Sequence, residues 1–399
     1  MANEKRENSK EISPCDPCEE ISKEYPHANN IRRIGISTSG GDCPGLNAVI
    51  RAATKVAVNK FRWEVVGILN GLQGLVDTNY TIPLGLENVR GILGKGGTIL
   101  GAASHGNPFE RKVIENGKIK KEDLRPVMKE NFNYLGLDAL IMIGGEGTMA
   151  IANELGKIGI PIIGVPKTID NDLVVTDYTF GYQTSVMTAM EAIDKLQDTA
   201  ASHHRIMILE VMGRYSGWIA LAAGVAGDAD VILIPEIPYD IDFVSDAIIR
   251  RKKRGKHFSI VVVAEGAREK GKDYSIKETA EDRGSDMHRL GGAGEYVASR
   301  LKETTGLETR VTVLGHIQRG GSPIAFDRNL ATKFGIHAVE LAAQGKFGRI
   351  ACLQGNRISD APITDAIKKP KMVPQDGDDI KYAEMIGINF GRKNIHYVY

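Results

Sequence analysis

From Ile31 onward the chain alternates short apolar runs with amphipathic stretches. IGIST (34–38) is followed by LNAVIRAATKVAV, ALIMIGG (139–145) by TMAIANELGK, and IPIIGV (160–165) comes next. RIMILEV (205–211) leads to GWIALAAGVAG, DVILIP (230–235) to VSDAIIRRKKRGK, FSIVVVAEGA (258–267) to GEYVASRLKETTG, and RVTVLGH (310–316) to NLATKFGIHAVELAAQG. Runs that are apolar throughout mark strands covered on both faces, and the helical stretches between them are the crossovers that parallel strands need. Two successive sets of such units predict two similar α/β domains, each an open doubly wound sheet.

Residues 1–30 are polar and aperiodic and read as a flexible extension. The polar segment 104–133 reads as a surface excursion plus a helix. The 399 residues suffice for two sizeable cores, and 42% hydrophobic with 25% charged residues is ordinary for a globular chain. A net charge of +1 gives no global field toward nucleic acid or an anionic membrane. No apolar run approaches the ~20 residues of a membrane span, and the first residues lack the apolar centre of a signal peptide. The four cysteines are too sparse for a disulfide framework; Cys15 and Cys18 form a CxxC without a second ligand pair, read as part of the tail. The expectation is a cytoplasmic enzyme.

In an open α/β sheet, ligands bind beyond the carboxyl ends of the strands. Polar clusters fall there: Gly40-Gly41-Asp42, Gly144 to Thr148, Lys167 to Asp172, Met212 to Arg214, Glu265, and His316 to Arg319. TSGGDCPGLN (38–47) opens a helix after a strand. Its glycines let backbone N–H groups approach a phosphate, although the stretch is neither GxGxxG nor a Walker loop. Read alone, it supports a phosphate cradle or a structural turn. GGEGT (144–148) repeats the design; Glu146 is either a first-turn acid or a ligand holding Mg²⁺ through water beside a phosphate. Thr168, Asp170 and Asp172 end the next strand. Carboxylates near phosphates fit a base that takes a hydroxyl proton or a metal partner, against the alternative of an Asx turn. Arg205, Arg214, Arg310 and Arg319 stand beside later strand ends with His316, and guanidinium forks suit phosphate dianions. The residues together point to phosphoryl transfer between two phosphorylated ligands.

TSGGDCPGLNAVIRA, IGGEGT, PKTIDND, EVMGRYSGW and VLGHIQRGGSP, in that order, resemble 6-phosphofructokinase, over about 31–348. The resemblance implies two Rossmann-like three-layer α/β/α domains with mostly parallel sheets and the active site in the cleft between them. The donor domain would comprise 31–181 plus about 318–366, and the sugar-phosphate domain 182–317 plus about 367–399. It implies phosphorylation of fructose 6-phosphate at its 1-hydroxyl, with Mg²⁺. Gly41, Gly145, Glu146, Gly147, Thr148 and Lys167 would face the donor, Glu146 serving the metal in place of the family's more usual Asp. Asp170 would be the base, with Thr168 positioning the phosphoryl group and Asp172 and Arg214 assisting. Ile169, Met212, Gly213, Arg214, Glu265, His316 and Arg319 would hold the sugar phosphate. Arg205 and Arg310 match positions supplied by a neighbouring subunit, which implies a homo-oligomer, a tetramer or a dimer.

Family members committed to ATP commonly have Gly where this chain has Lys167, and pyrophosphate users commonly have Asp where it has Gly147. The chain thus carries one mark of each kind and resembles the mixed-substrate branch. An open Gly admits a nucleotide and a Lys does not by itself exclude one, so ATP is the expected donor and reversible pyrophosphate-dependent transfer the alternative. Ser104 stands near the place of a frequent bridging Arg, with His105 or a Lys to compensate. Gln197 replaces an Arg of the allosteric bacterial enzymes while Arg51 and Lys55 stay basic, which weakens the case for nucleotide-effector control. NAD and lipid kinases share a GGDGT-like loop but lack PKTIDND and GHIQRGG. A non-catalytic regulatory subunit would have lost Asp170, Asp172 or Glu146, and a dinucleotide oxidoreductase would need GxGxxG after the first strand.

Overall fold

A computed structural model describes residues 23–103, 108–115, 118–278 and 289–394. Strands β1 (Arg33–Thr38), β2 (Glu64–Ile68) and β3 (Thr81–Pro83) begin a first sheet; β4 (Arg111–Glu115) and β5 (Lys118–Glu122) pair as a separate hairpin; β6 (Ala139–Gly144) and β7 (Ile162–Pro166) return to the first sheet. A second sheet is built from β8 (Ile206–Val211), β9 (Val231–Leu233) and β10 (Ser259–Ala264), then, after the small pair β11 (Ile276–Glu278) and β12 (Arg289–Leu290), from β13 (Thr309–Val313). β14 (Arg349–Gln354) and β15 (Arg357–Pro362) rejoin the first sheet.

The seven-stranded order is β15-β14-β7-β6-β1-β2-β3, with only the edges β3 and β15 antiparallel; the four-stranded order is β13-β8-β10-β9, parallel throughout. The expected mostly parallel α/β architecture is therefore observed. β6, β8 and β10 are buried at every position, as strands covered on both faces must be. In the first sheet the chain passes from β1 to β2 on one side and later to β6 on the other. The crevice of this sheet consequently opens at the carboxyl ends of β1 and β6. In the second sheet the corresponding reversal lies between β8 and β13.

The segment 104–133, expected as an excursion plus a helix, adds the β4–β5 hairpin before its helix Arg125–Tyr134. Residues 23–30, expected within a flexible extension, are packed instead. Tyr25 is 3% exposed and its hydroxyl donates to Glu340 Oε1 at 2.9 Å, while the Trp63 indole N–H donates to the Ala28 carbonyl at 3.0 Å. Two apolar residues without periodicity carry this docking, so the polar stretch concealed it. Cys15, Cys18, Ser104 and His105 lie outside the described residues. Among the described residues no helix is long and apolar enough to cross a membrane.

The helix Ala325–Ala343 leaves the second sheet and packs against the helix Leu46–Asn59 of the first. The approach is close at Gly335, where a Cβ would lie 2.6 Å from the Val49 carbonyl oxygen and 3.1 Å from Ala52 Cβ. Replacing Gly335 by Val should destabilise the chain by about 1–3 kcal/mol through overpacking. Gly156, in the helix Glu146–Lys157, has nothing within 4 Å of its Cβ position, and Gly156→Ala should stabilise by roughly 0.5–1 kcal/mol. Urea midpoints moving in opposite directions check both.

Candidate active site

The turn after β1 reaches the helix Leu46–Asn59 through Gly40 (φ +78°) and Gly45 (φ +109°), conformations that side chains disfavour. Lys167 follows β7. It is 4% exposed, and its ammonium donates to the Gly41 carbonyl. Burial lowers its pKa, opposed by the negative charges of Asp170 and Asp42. On the other side of the turn the Arg319 guanidinium lies against the Cα of Gly41 and donates to the Asp42 carbonyl at 3.3 Å. Gly41 thus makes room for Arg319 as well as leaving a bare backbone toward the cleft. Gly145 precedes the helix Glu146–Lys157, whose first residues Glu146 and Gly147 are exposed while Thr148 is buried. A Cβ at Gly147 would have no neighbour within 4 Å.

Beyond Lys167 the chain carries its acids. Thr168 Oγ1 accepts the Asp170 N–H at 3.0 Å. Ile169 is fully buried, so its side chain belongs to the core and its backbone is the part that can meet a ligand. Asp170 is 8% exposed, and its Oδ1, like that of Asp172, is buried without a hydrogen-bond partner. Burial raises the pKa of Asp170 against the pull of Arg319, Arg214 and Lys167. Burial and the neighbouring Asp170 push Asp172 up to about 7, with a smaller contribution from Glu146.

The second sheet brings Met212, Gly213 and Arg214 to the end of β8 and Glu265 to the end of β10. The Arg214 N–H donates to Glu265 Oε1 at 3.1 Å; Glu265 is pushed up to about 7 by burial and then by Asp170. Two links join this edge to the acids and to the turn Gly315–Arg319. Ser216 Oγ donates to the Asp170 carbonyl at 3.0 Å. Gln318, fully buried, accepts the Met212 N–H at 2.8 Å and donates to Ser185 Oγ at 3.1 Å. His316 is exposed on the same turn. Ser216 and Gln318 sit inside motifs singled out in the sequence, but their partners are distant in the chain and left no local signal.

Arg205 and Arg310 do not join these residues within the chain. They stand at the amino ends of β8 and β13, the end of the strands opposite the site, and both pair with Glu308. Gln197 donates to the Gly227 carbonyl at 2.6 Å and so caps a helix end; Arg51 and Lys55 lie on the helix Leu46–Asn59. Among the described residues no three His, Cys, Asp or Glu side chains gather to enclose a metal. The unpartnered Oδ1 of Asp172, whose carboxyl feels the charge of Glu146, does fit a hydrated divalent ion shared with phosphate oxygens, which needs only one or two carboxylates.

The family model described as Phosphofructokinase matches residues 33–342. The chain is 48% identical over 365 residues to the ATP-dependent 6-phosphofructokinase 2 of Clostridium perfringens, covering 90% of this chain and 98% of that protein. It is 46% identical over 360 residues to the pyrophosphate–fructose 6-phosphate 1-phosphotransferase of Streptomyces coelicolor, covering 90% and 100%. The crystal structure of Pichia pastoris phosphofructokinase in the T-state superposes with a TM-score of 0.72 at 33% identity, covering 84% of this chain and 35% of that longer one.

Asp172 binds a proton more tightly in the folded chain (about 7) than at its ordinary value of 3.8. Its ionisation therefore costs stability progressively as pH rises from about 4 through 7. Asp172→Asn removes that cost, so the variant should gain stability relative to the parent at pH 8 compared with pH 5. Urea midpoints at the two pH values check it; an equal difference at both would contradict the raised pKa.

Proposed function

The chain belongs to the phosphofructokinase family, and on that footing we propose that it transfers a phosphoryl group from ATP to the 1-hydroxyl of fructose 6-phosphate, giving fructose 1,6-bisphosphate. It is an enzyme of the glycolytic kinase type, and its family implies a divalent metal; we assign Mg²⁺. The observation that carries the reading is Asp170, a buried carboxylate with an unpartnered oxygen, lying where the glycine turns of the first sheet meet the Met212–Arg214 edge of the second.

In this reading donor phosphates lie over Gly40–Gly41 and the helix that starts at Glu146, with Gly145, Thr148 and Lys167 beside them. Lys167, Arg214 and Arg319 neutralise charge on the transferred group. Thr168 positions that group, and Asp170 accepts the 1-hydroxyl proton; desolvation makes its carboxylate a stronger base. Positioning and charge neutralisation supply most of the rate. Glu146, with Asp172 facing it, would hold the metal through water; when bound, the ion supplies further neutralisation of the phosphates. Met212, Gly213, Arg214, Glu265, His316 and Arg319 hold the sugar phosphate.

We assign 31–181 plus about 318–366 to donor binding and 182–317 plus about 367–399 to the sugar phosphate. Arg205 and Arg310, at the far end of the second sheet's strands, would serve a neighbouring subunit's site, making the protein a tetramer or dimer in the cytoplasm. The alternative donor is pyrophosphate, favoured by Lys167 against the open space at Gly147.

Fructose 1,6-bisphosphate formation with Mg²⁺ should be faster with ATP than with pyrophosphate at equal concentration. A preference for pyrophosphate would make Lys167 the determinant, and no product with either would refute the reaction. Asp170→Ser should lower kcat by about 10²–10⁴-fold while sugar phosphate still binds. Near-normal turnover in that variant would remove Asp170 from the chemistry.

A further inference from the structure

Asn171 separates the two acids and is 2% exposed. Its φ is +51°, in the left-handed region that Asn tolerates better than most side chains but that still disfavours it relative to glycine. This residue turns the chain out of the β7 direction. Asp172 stays beside Asp170 in the cleft, and Leu173 departs to pair with Pro370. The side chain is bonded on both faces of its amide. Oδ1 accepts the Thr179 N–H at 3.0 Å, and Nδ2 donates to the Asp177 carbonyl at 3.4 Å.

The loop so gripped is itself fixed to rigid parts of the fold. The Asp177 N–H donates to the Leu353 carbonyl at 2.8 Å and Thr176 Oγ1 accepts the Leu353 N–H at 3.0 Å, which ties the loop to β14. Lys371 braces it from the other side: its N–H donates to the Asp172 carbonyl at 2.7 Å, and its ammonium donates to the carbonyls of Thr176 at 3.1 Å and Asp177 at 2.6 Å. No hydrogen bond joins the Asn171 amide to either carboxylate. Its influence on them runs through the backbone.

We propose that Asn171 is a positioning residue of the transfer reaction: its left-handed backbone and its amide bonds to Thr179 and Asp177 set the angle at which Asp170 and Asp172 face the cleft. The inference rests on the function proposed above and adds to it a residue that touches neither substrate nor donor. The two properties separate by substitution. Asn171→Gly keeps the backbone conformation and removes the amide bonds; Asn171→Ala disfavours the conformation and removes the bonds.

Steady-state kinetics of the full chain, with fructose 6-phosphate and ATP varied in turn, read the outcome. Asn171→Ala should lose about 10²-fold in kcat, the scale of a small misplacement of reacting groups, with both KM values near the parent's. Asn171→Gly should lose less, about tenfold less, since it restores the dihedral. A kcat in Asn171→Ala within twofold of the parent would overturn the proposal, as would a KM rise at unchanged kcat or equal losses in the two variants. Crystal structures of parent and Asn171→Ala decide the same point without turnover: reoriented Asp170 and Asp172 carboxylates support it and unchanged ones overturn it. An inactive parent would count against the reaction, whereas an active parent matched by its variants counts against Asn171 alone.

Discussion

Three carboxylates and three cations share one poorly solvated crevice, and the rest of the structure is arranged to keep them there. Asp170, Asp172 and Glu265 each resist ionisation because burial removes water, and Asp170 pushes both Asp172 and Glu265 further up. Lys167, Arg214 and Arg319 offset part of that cost. Isolated buried charges of either sign would be expelled or neutralised. Held together, they leave oxygens without protein partners, and an incoming metal and phosphate can satisfy what the chain does not.

Such crowding survives only if the backbone cannot relax, and the restraints come from both sheets. Ser216 holds the carbonyl of Asp170 from the second sheet, Lys371 holds that of Asp172 from the C-terminal segment, and Gln318 fastens the Met212 loop to the turn carrying Arg319. Glu236 extends the frame. Its Oε1 accepts the N–H groups of Gly217 at 3.0 Å and Val373 at 2.9 Å, so the C-terminal segment and the loop after β8 share one buried acid. A site divided between two sheets is thereby given fixed geometry across the crevice, which is what transfer between two bound phosphates demands.

Much of this was legible in the chain. β6, β8 and β10 are apolar from end to end because helices cover both faces, and such runs are visible without any partner. The sheet margins were harder to see: β2 begins with exposed Glu64, and β15 has no buried position. The helix Tyr182–His203 buries mostly Ala, Thr, Ser and Val, so its apolar stripe is faint. The acids and glycine turns announced themselves by standing just past strand ends. Arg205 and Arg310 share that proximity but at the amino ends, and only the sheet shows which end they occupy. Ser216, Gln318, Asn171 and Lys371 act by bonds to backbone or to residues remote in sequence, and residue type alone does not disclose such bonds.

The most direct measurement is a crystal structure of the protein with fructose 6-phosphate and a non-hydrolysable ATP analogue bound together. The donor phosphates are expected over Gly40–Gly41 and the start of the helix at Glu146, the sugar phosphate against Met212–Arg214, and the sugar 1-hydroxyl within hydrogen-bond reach of Asp170. A 1-hydroxyl turned away from Asp170, or a donor seated outside the glycine turns, would contradict this arrangement.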